Sequence, residues 1–356
     1  MTVPSIQSFK AGRPSSSRHL NFMARLLAGL SFLARLASWR LIFSQLTNML
    51  IGTVQQIWRY PVKSMAGEKL SGCTVGSLGL PGDRGWAIRD EEKSEVKTGT
   101  RLPLLMQCAS AYGEEPSDEN IPHVTITFPD GATVRSDDAE VDARLSSVFG
   151  KRVKLWPRQP ASNKEHYRRP GAAARLIAPL TDIPGFRALL PTITKLPNLD
   201  ATLRAAFSRT PDEPIPDISK LPRELFEYTS PPGTYFDAFP IHVLTSASVA
   251  VMSAANPDAA WDVRRFRPNF FVETVAGIEG LVETEWLGRT LRVGTVEVKC
   301  EMPAVRCGMT TNAQKELSKD NSILRTIVKE GEQNLGVYAN VATAGRVSEG
   351  DLVELL

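Results

Sequence analysis

From Val54 onward the chain alternates short apolar runs with Gly and Pro breaks, and the period of those runs is that of strands. Strands are predicted over 54–60, 87–89, 123–128 and 152–156, with Pro129-Asp130-Gly131 as a turn. Between the last two, 138–149 places Val141, Leu145, Val148 and Phe149 at helical spacing, and Gly150 follows as a C-cap. Regular structure returns after Tyr235: a strand at 241–244, a helix at 246–255 opened by a Ser/Thr cap, and strands at 269–273, 290–293, 296–300 and 352–355. Short strands punctuated by Gly, with no internal repeat, indicate a β-rich α+β chain whose second half is a barrel.

Two stretches break this pattern. Residues 170–232 hold eleven of the 25 prolines and read as a connecting insertion with one helix, 199–207, capped by Asn198. Residues 1–50 carry six basic residues, among them Arg13, Arg18, Arg25, Arg35 and Arg40, and no Asp or Glu, which is transit-peptide composition. The apolar run 26–34 has nine residues, far short of the roughly 20 that span a bilayer as a helix. A basic helix with Leu, Phe and Trp also suits a lipid interface, and a solvated tail is the bland alternative. The chain therefore divides into a targeting leader (1–50), a β-rich unit (51–169), the proline-rich connection (170–232) and a barrel (233–356).

Composition narrows the function. With 356 residues, 42% apolar and 23% charged, the chain can bury a sizeable core. Outside the leader 36 basic residues face 39 acidic ones, a poor balance for wrapping a phosphate backbone, so nucleic acid is not the expected partner. Cys73, Cys108, Cys300 and Cys307 form no Cys-x-x-Cys pair, and the four histidines stand at least 43 residues apart, so no zinc, iron–sulfur or disulfide pattern is legible.

Three segments could carry chemistry. Tyr60-Pro61-Val62-Lys63-Ser64 delivers a Lys and a Ser at the end of a strand, and Gly82-Asp83-Arg84 presents an arginine fork on a turn. Both suit an anion, although a surface turn with an Asp83–Arg84 ion pair is the plain alternative. Arg264-Arg265-Phe266-Arg267-Pro268-Asn269 places three arginines beside an apolar strand, which is costly unless an anion or acids such as Asp262 and Glu273 offset the charge. In Arg306-Cys307-Gly308 a thiol stands beside an arginine in a polar loop, a setting that favours the thiolate, whereas an isolated Cys is more often a small buried hydrophobe.

Taken in order, these segments resemble the MOSC family of molybdenum cofactor proteins. Tyr60 to Ser64, Gly82-Asp83-Arg84, Phe236-Asp237-Ala238-Phe239-Pro240-Ile241-His242-Val243-Leu244-Thr245-Ser246-Ala247-Ser248, Arg265 to Asn269, Trp286-Leu287-Gly288, Arg306-Cys307 and Gly350-Asp351-Leu352-Val353 carry the likeness. The resemblance implies a MOSC β-barrel domain preceded by an N-terminal β-rich MOSC-associated domain, and molybdenum held by molybdopterin. It implies Cys307 as the catalytic residue and molybdenum ligand, and Lys63, Ser64, Arg84, Thr245, Ser246, Arg267, Asn269 and Arg306 as cofactor-binding residues, with Ser246 also capping a helix. Within the family the likeness is to mitochondrial amidoxime reductases. That implies reduction of N-hydroxylated compounds with electrons from a cytochrome b5-type donor and its flavin reductase, a mitochondrial location and peripheral association with the outer membrane. The alternative within the family is a cofactor-binding or sulfur-carrier module without small-molecule turnover. A family-level association with pyridoxal phosphate comes with the resemblance, with no residues attached to it. The sequence departs from those reductases after Cys307, in Gly308-Met309-Thr310-Thr311-Asn312-Ala313-Gln314, and at Met65, where relatives carry a cysteine; both bear on substrate range. Lys151, Arg152, Lys154, Arg158, Lys164, Arg168, Arg169 and Arg175 form either a docking surface for an acidic cytochrome or a solvated basic face.

Overall fold

The computed structural model describes residues 48–169 and 178–356. The leader up to residue 47 and Arg175 lie outside the described residues. Of the described residues, 49–355 form one compact unit.

Seven strands close a barrel. In order around it stand β1 (Met49–Arg59), β11 (Phe270–Thr274), β10 (Ile241–Thr245), β14 (Asn334–Thr343), β13 (Val296–Val305), β12 (Thr290–Val293) and β16 (Leu352–Leu355), which returns to β1. All neighbours are antiparallel except β10 and β11, which run parallel with Val243 beside Phe270. Alternation explains the closure: along β13 Val296, Val298 and Cys300 are buried while Lys299 and Glu301 face solvent, so one face of each strand fills the interior. Ile51, Val54, Ile57, Val272, Leu291, Val337 and Val353 meet there.

β1 is the consequential element. The segment that begins the β-rich unit in sequence is a stave of the barrel built by 241–355, pairing Ile57 with Phe270 and Thr53 with Leu352. The run 50–58, which carries no charged residue, is thus part of a barrel strand with one buried face. β2 (Glu68–Leu70) extends β1, and β3 (Gly72–Val75) pairs with β15 (Gly345–Ser348). The two sequence segments interlock rather than follow one another as separate bodies.

The rest of 51–169 stacks two small sheets, β4 (Trp86–Asp90) between β5 (Glu95–Val96) and β9 (Val153–Pro157), and β7 (Val124–Thr127) between β6 (Ala109–Tyr112) and β8 (Thr133–Arg135). Helix α1 (Val141–Phe149) buries Val141, Leu145 and Phe149, one turn apart, and ends at Gly150 in the left-handed conformation, as its spacing predicts. Val62 and Met65 join that core, so the Tyr60 to Ser64 segment is held from both sides.

From residue 178 on, the proline-rich connection is structured. It contains α2 (Phe186–Ile193) and α3 (Pro197–Phe207), the latter started by Pro197 in its first turn, with Leu196 rather than Asn198 at the cap position. α4 (Ser246–Ala255) is capped by Thr245, whose side chain accepts from the Ser248 amide, so the cap expected of Ser246 falls one residue earlier. α5 (Asn321–Glu330), unanticipated from sequence, is capped by Asp320 and buries Ile323, Leu324, Ile327 and Val328. No helix among the described residues is long and apolar enough to cross a membrane.

Candidate cofactor site

The end of β1, the turn before β4, the turn before β11 and the loop after β13 converge on Tyr60. Its ring lies under two guanidinium groups, Arg267 at 4.1 Å and Arg84 at 4.6 Å from the centroid, and its hydroxyl donates to the Pro268 carbonyl at 3.1 Å. Three residues here, Ser64 (φ 67), Arg84 (φ 50) and Arg267 (φ 55), adopt the left-handed region without being glycine. Each such residue costs roughly 1–2 kcal/mol, and such strain concentrates where side chains must be aimed.

The charges do not balance. Arg84 is paired with Asp83, a fully buried carboxylate that also accepts from the Tyr60 amide at 2.7 Å and from Asn269 at 3.0 Å. Lys63 donates to Asp237 at 2.6 Å and to the Tyr235 carbonyl at 2.8 Å. Asp237 keeps about half its side chain exposed; desolvation within the cluster would raise its carboxyl, but Lys63, with Arg84 and Arg267 behind it, holds it well below the usual carboxylate range. Arg267, only 4% exposed, has no carboxylate partner in contact; it donates to the Met65 carbonyl and its Nη2 is left without a partner. Burial, then the nearby Arg84 charge, lowers it to about 10. Arg306 donates to the Phe266 carbonyl at 2.7 Å while its Nε is also buried without a partner. Four cations thus face two carboxylates, and two guanidinium groups keep an unused buried donor. Such donors are costly unless a ligand takes them.

Cys307 borders this cluster. It is half-buried, with Thr100 Oγ1 at 3.6 Å from its sulfur, and the following turn places Met309 Sδ 3.9 Å from Ser64 Oγ. Tyr338 lies within the electrostatic reach of Arg306, Asp237, Cys307 and Arg84. The other three cysteines are buried, and burial pushes each thiol up to about 12. Arg265 supports the loop from behind, donating to the Ser318 carbonyl at 2.8 Å and the Asn312 carbonyl at 3.3 Å.

Of the residues expected at the site, Lys63, Ser64, Arg84, Arg267, Arg306 and Cys307 come together. Asn269, Thr245 and Ser246 are engaged elsewhere. Asn269 is buried, accepting from the His242 amide and donating to Asp83, so it reaches the cluster through Asp83. Thr245 is buried against Glu283, which takes its amide at 2.8 Å and its hydroxyl at 2.9 Å, and Ser246 bonds the Thr274 amide and hydroxyl. The ion pair expected for the arginine run is made by Arg264 with Asp262 and Glu316, not Glu273. In the basic cluster Lys151, Arg152, Lys154 and Lys164 are exposed, while Arg168 pairs with Glu165 and Arg169 turns inward to the Leu225 and Tyr228 carbonyls. Tyr60, Asp83 and Asp237 lie inside the motifs read from sequence, yet their roles depend on burial that no local pattern records.

The fold belongs to one class. Residues 51–164 match the MOSC N-terminal beta barrel domain and residues 231–354 the MOSC domain, so the chain is a MOSC-domain protein. It is 25% identical over 276 residues to mitochondrial amidoxime reducing component 2 of Bos taurus, a match covering 73% of this chain and 66% of that protein, just under two thirds of its length. The same protein from Macaca fascicularis is 25% identical over 317 residues, covering 85% of this chain and 79% of the other. Among solved structures it is similar to the YuaD protein of Bacillus subtilis, with 10% identity, a TM-score of 0.36 and coverage of 87% and 97% of the two chains. YiiM of Geobacillus stearothermophilus has 19% identity and a TM-score of 0.26 over 33% of this chain and 54% of that one. TM-scores this low carry no functional argument.

The residues fit a molybdopterin. Buried donors without partners suit its phosphate and the acceptor edges of its pterin, and a half-buried thiol suits a soft metal. No group of three or more His, Cys, Asp or Glu residues among the described residues is placed to hold a metal ion.

Proposed function

We propose that this chain is a molybdenum-dependent reductase of N-hydroxylated compounds such as amidoximes and hydroxylamines. The observation that carries the reading is the excess of buried cations with unused donors at Arg267 and Arg306, set beside the half-buried Cys307. Lys63, Arg84, Arg267 and Arg306 bind and orient the phosphate and pterin, Tyr60 and Tyr338 exclude water, and Cys307 offers a thiolate to the metal. When bound, the cofactor supplies two-electron removal of oxygen from an N–O bond. Amidoxime, two electrons and two protons give amidine and water. The relatives are named as a component, which supports electrons arriving from a partner, here a small cytochrome b5-type protein with its flavin reductase. Their names also support a mitochondrial setting.

The test is molybdenum content by elemental analysis, together with reduced viologen and benzamidoxime. Benzamidine formation in proportion to molybdenum occupancy is the expected result. Molybdenum-loaded protein that leaves viologen reduced with several N-hydroxylated substrates would overturn the reading, and cyanide-releasable sulfur on Cys307 would then identify a sulfur carrier.

A further inference from the structure

The proline-rich segment is attached to the cysteine loop at several points. α3 ends at Ser208, a non-glycine residue in the left-handed conformation (φ 55), and this turn sends Arg209 inward, to 6% exposure. Its guanidinium donates through Nη2 to the Arg306 carbonyl at 2.8 Å, through Nε to Gln333 Oε1 at 3.1 Å and through Nη1 to the Phe207 carbonyl at 2.8 Å. Gln333 in turn accepts the Arg306 amide at 2.9 Å through its own carbonyl. The Arg306 peptide is therefore gripped on both sides, at its N–H by Gln333 and at its C=O by Arg209. Two residues further on, a Cβ built on Gly308 would stand 2.1 Å from Ser208 Oγ, so the insertion is packed against the loop without space for a methyl group. The turn itself is anchored from behind, since Arg325 on α5 donates to the Ser208 carbonyl and pairs with Glu213.

We propose that the insertion is a brace for the cysteine loop and that Arg209 is its positioning residue, holding the Arg306 carbonyl so that Cys307 faces the cation cluster. The proposal rests on the reading above only where it treats Cys307 as the metal ligand. The grip on the Arg306 peptide is a property of the chain itself. Arg209 has no carboxylate in contact, and burial lowers it to about 10, so a buried cation is retained in a place where a neutral side chain could fill the same space. A connecting segment with no role at the site would not need one there.

The test is amide hydrogen exchange on the full chain, wild type against Arg209→Met and Arg209→Lys, with molybdenum content measured on the same samples. In Arg209→Met the Arg306 and Thr310 amides are expected to exchange at least tenfold faster while the α1 amides keep wild-type rates. Arg209→Lys should fall between, and molybdenum content should decline in the same order. Wild-type protection of the two loop amides in Arg209→Met, or equal loosening of α1, would overturn the brace. Gly308→Ala provides an independent arm should Arg209→Met fail to fold. By pushing Ser208 away it should open the same amides, and unchanged protection there would also overturn the proposal. If the loop opens as expected but the wild type binds no molybdenum, the brace stands and the reductase reading falls.

Discussion

Arg84 and Arg267 both cover the ring of Tyr60, yet replacing each by Met should cost the fold very different amounts. Arg84 neutralises Asp83, whose side chain is 0% exposed. Removing that arginine leaves a buried carboxylate without its cation, a loss of about 3–5 kcal/mol, which is a large share of the roughly 5–15 kcal/mol that holds a domain folded. Arg267 has no such dependant. Burial lowers its guanidinium from 12.5 to about 10, equivalent to about 3 kcal/mol of penalty at 1.36 kcal/mol per unit. Because the side chain is protonated both folded and unfolded at pH 7, the whole penalty weighs on the native state. Removing the side chain relieves it, and loses about 2 kcal/mol of cation–π contact and a charge-assisted bond to Met65 of about 1.5–3 kcal/mol. Arg267→Met should therefore stay within about 2 kcal/mol of wild type without cofactor. Cofactor retention should nonetheless drop roughly ten- to a hundredfold, the equivalent of one lost charge-assisted bond. Urea unfolding of metal-free protein gives the first quantity, and fluorescence of released pterin gives the second. The reasoning fails if Arg267→Met unfolds as readily as Arg84→Met, or if it keeps wild-type pterin.

In native protein only Cys307 should react promptly with a thiol reagent, the other three thiols being buried; Cys307→Ala should abolish viologen-coupled turnover while Cys300→Ala retains it. His166, buried and bonded to Tyr235 Oη at 2.6 Å, has its pKa lowered to about 4 by burial and then by Arg89. The unfolded chain takes up that proton first, so stability should fall as pH drops from about 6.5 to about 4, by roughly 2–3 kcal/mol, and His166→Phe should flatten denaturation midpoints over that window. Deleting residues 1–48 should leave the unfolding transition in place, whereas deletion through Arg59 removes the strand joining β11 to β16 and should abolish it, as read by circular dichroism.

What was legible in the sequence was local. Period-two alternation located 290–293 and 296–300, and helical spacing with Gly150 located α1, because each pattern is written within one element. Strand β13 runs on to Val305 because β14 continues opposite it across bulges at Cys300/Met302 and Pro303/Val305, a fact of pairing that one strand's pattern does not contain. α5 is not marked in the sequence because its stripe of four apolar residues is short and opens on polar Asn321 and Ser322. At the site, the motifs marked Lys63, Arg84, Arg267 and Cys307, and the adjacency of Asp83 and Arg84 marked their pairing. That this pair is buried rather than on a surface turn depends on Tyr60 and Asn269, the latter 186 residues away from Asp83. The contact between Arg209 and Arg306 spans 97 residues and left no sequence signal beyond an arginine among prolines.

The stave supplied by Met49–Arg59 also bears on how the protein is made. Its partners, Phe270–Thr274 and Leu352–Leu355, are among the later parts of the chain to leave the ribosome, and β3 likewise awaits Gly345–Ser348. Until then Met49–Arg59 can pair only with Glu68–Leu70, over its last three residues, and a barrel whose closing contacts are so distant in sequence folds slowly. Tyr60, Lys63 and Ser64 hang from that strand. The anion-binding cluster consequently waits for Arg267 and Arg306 to emerge, so a molecule stalled before them has no complete place to hold a cofactor.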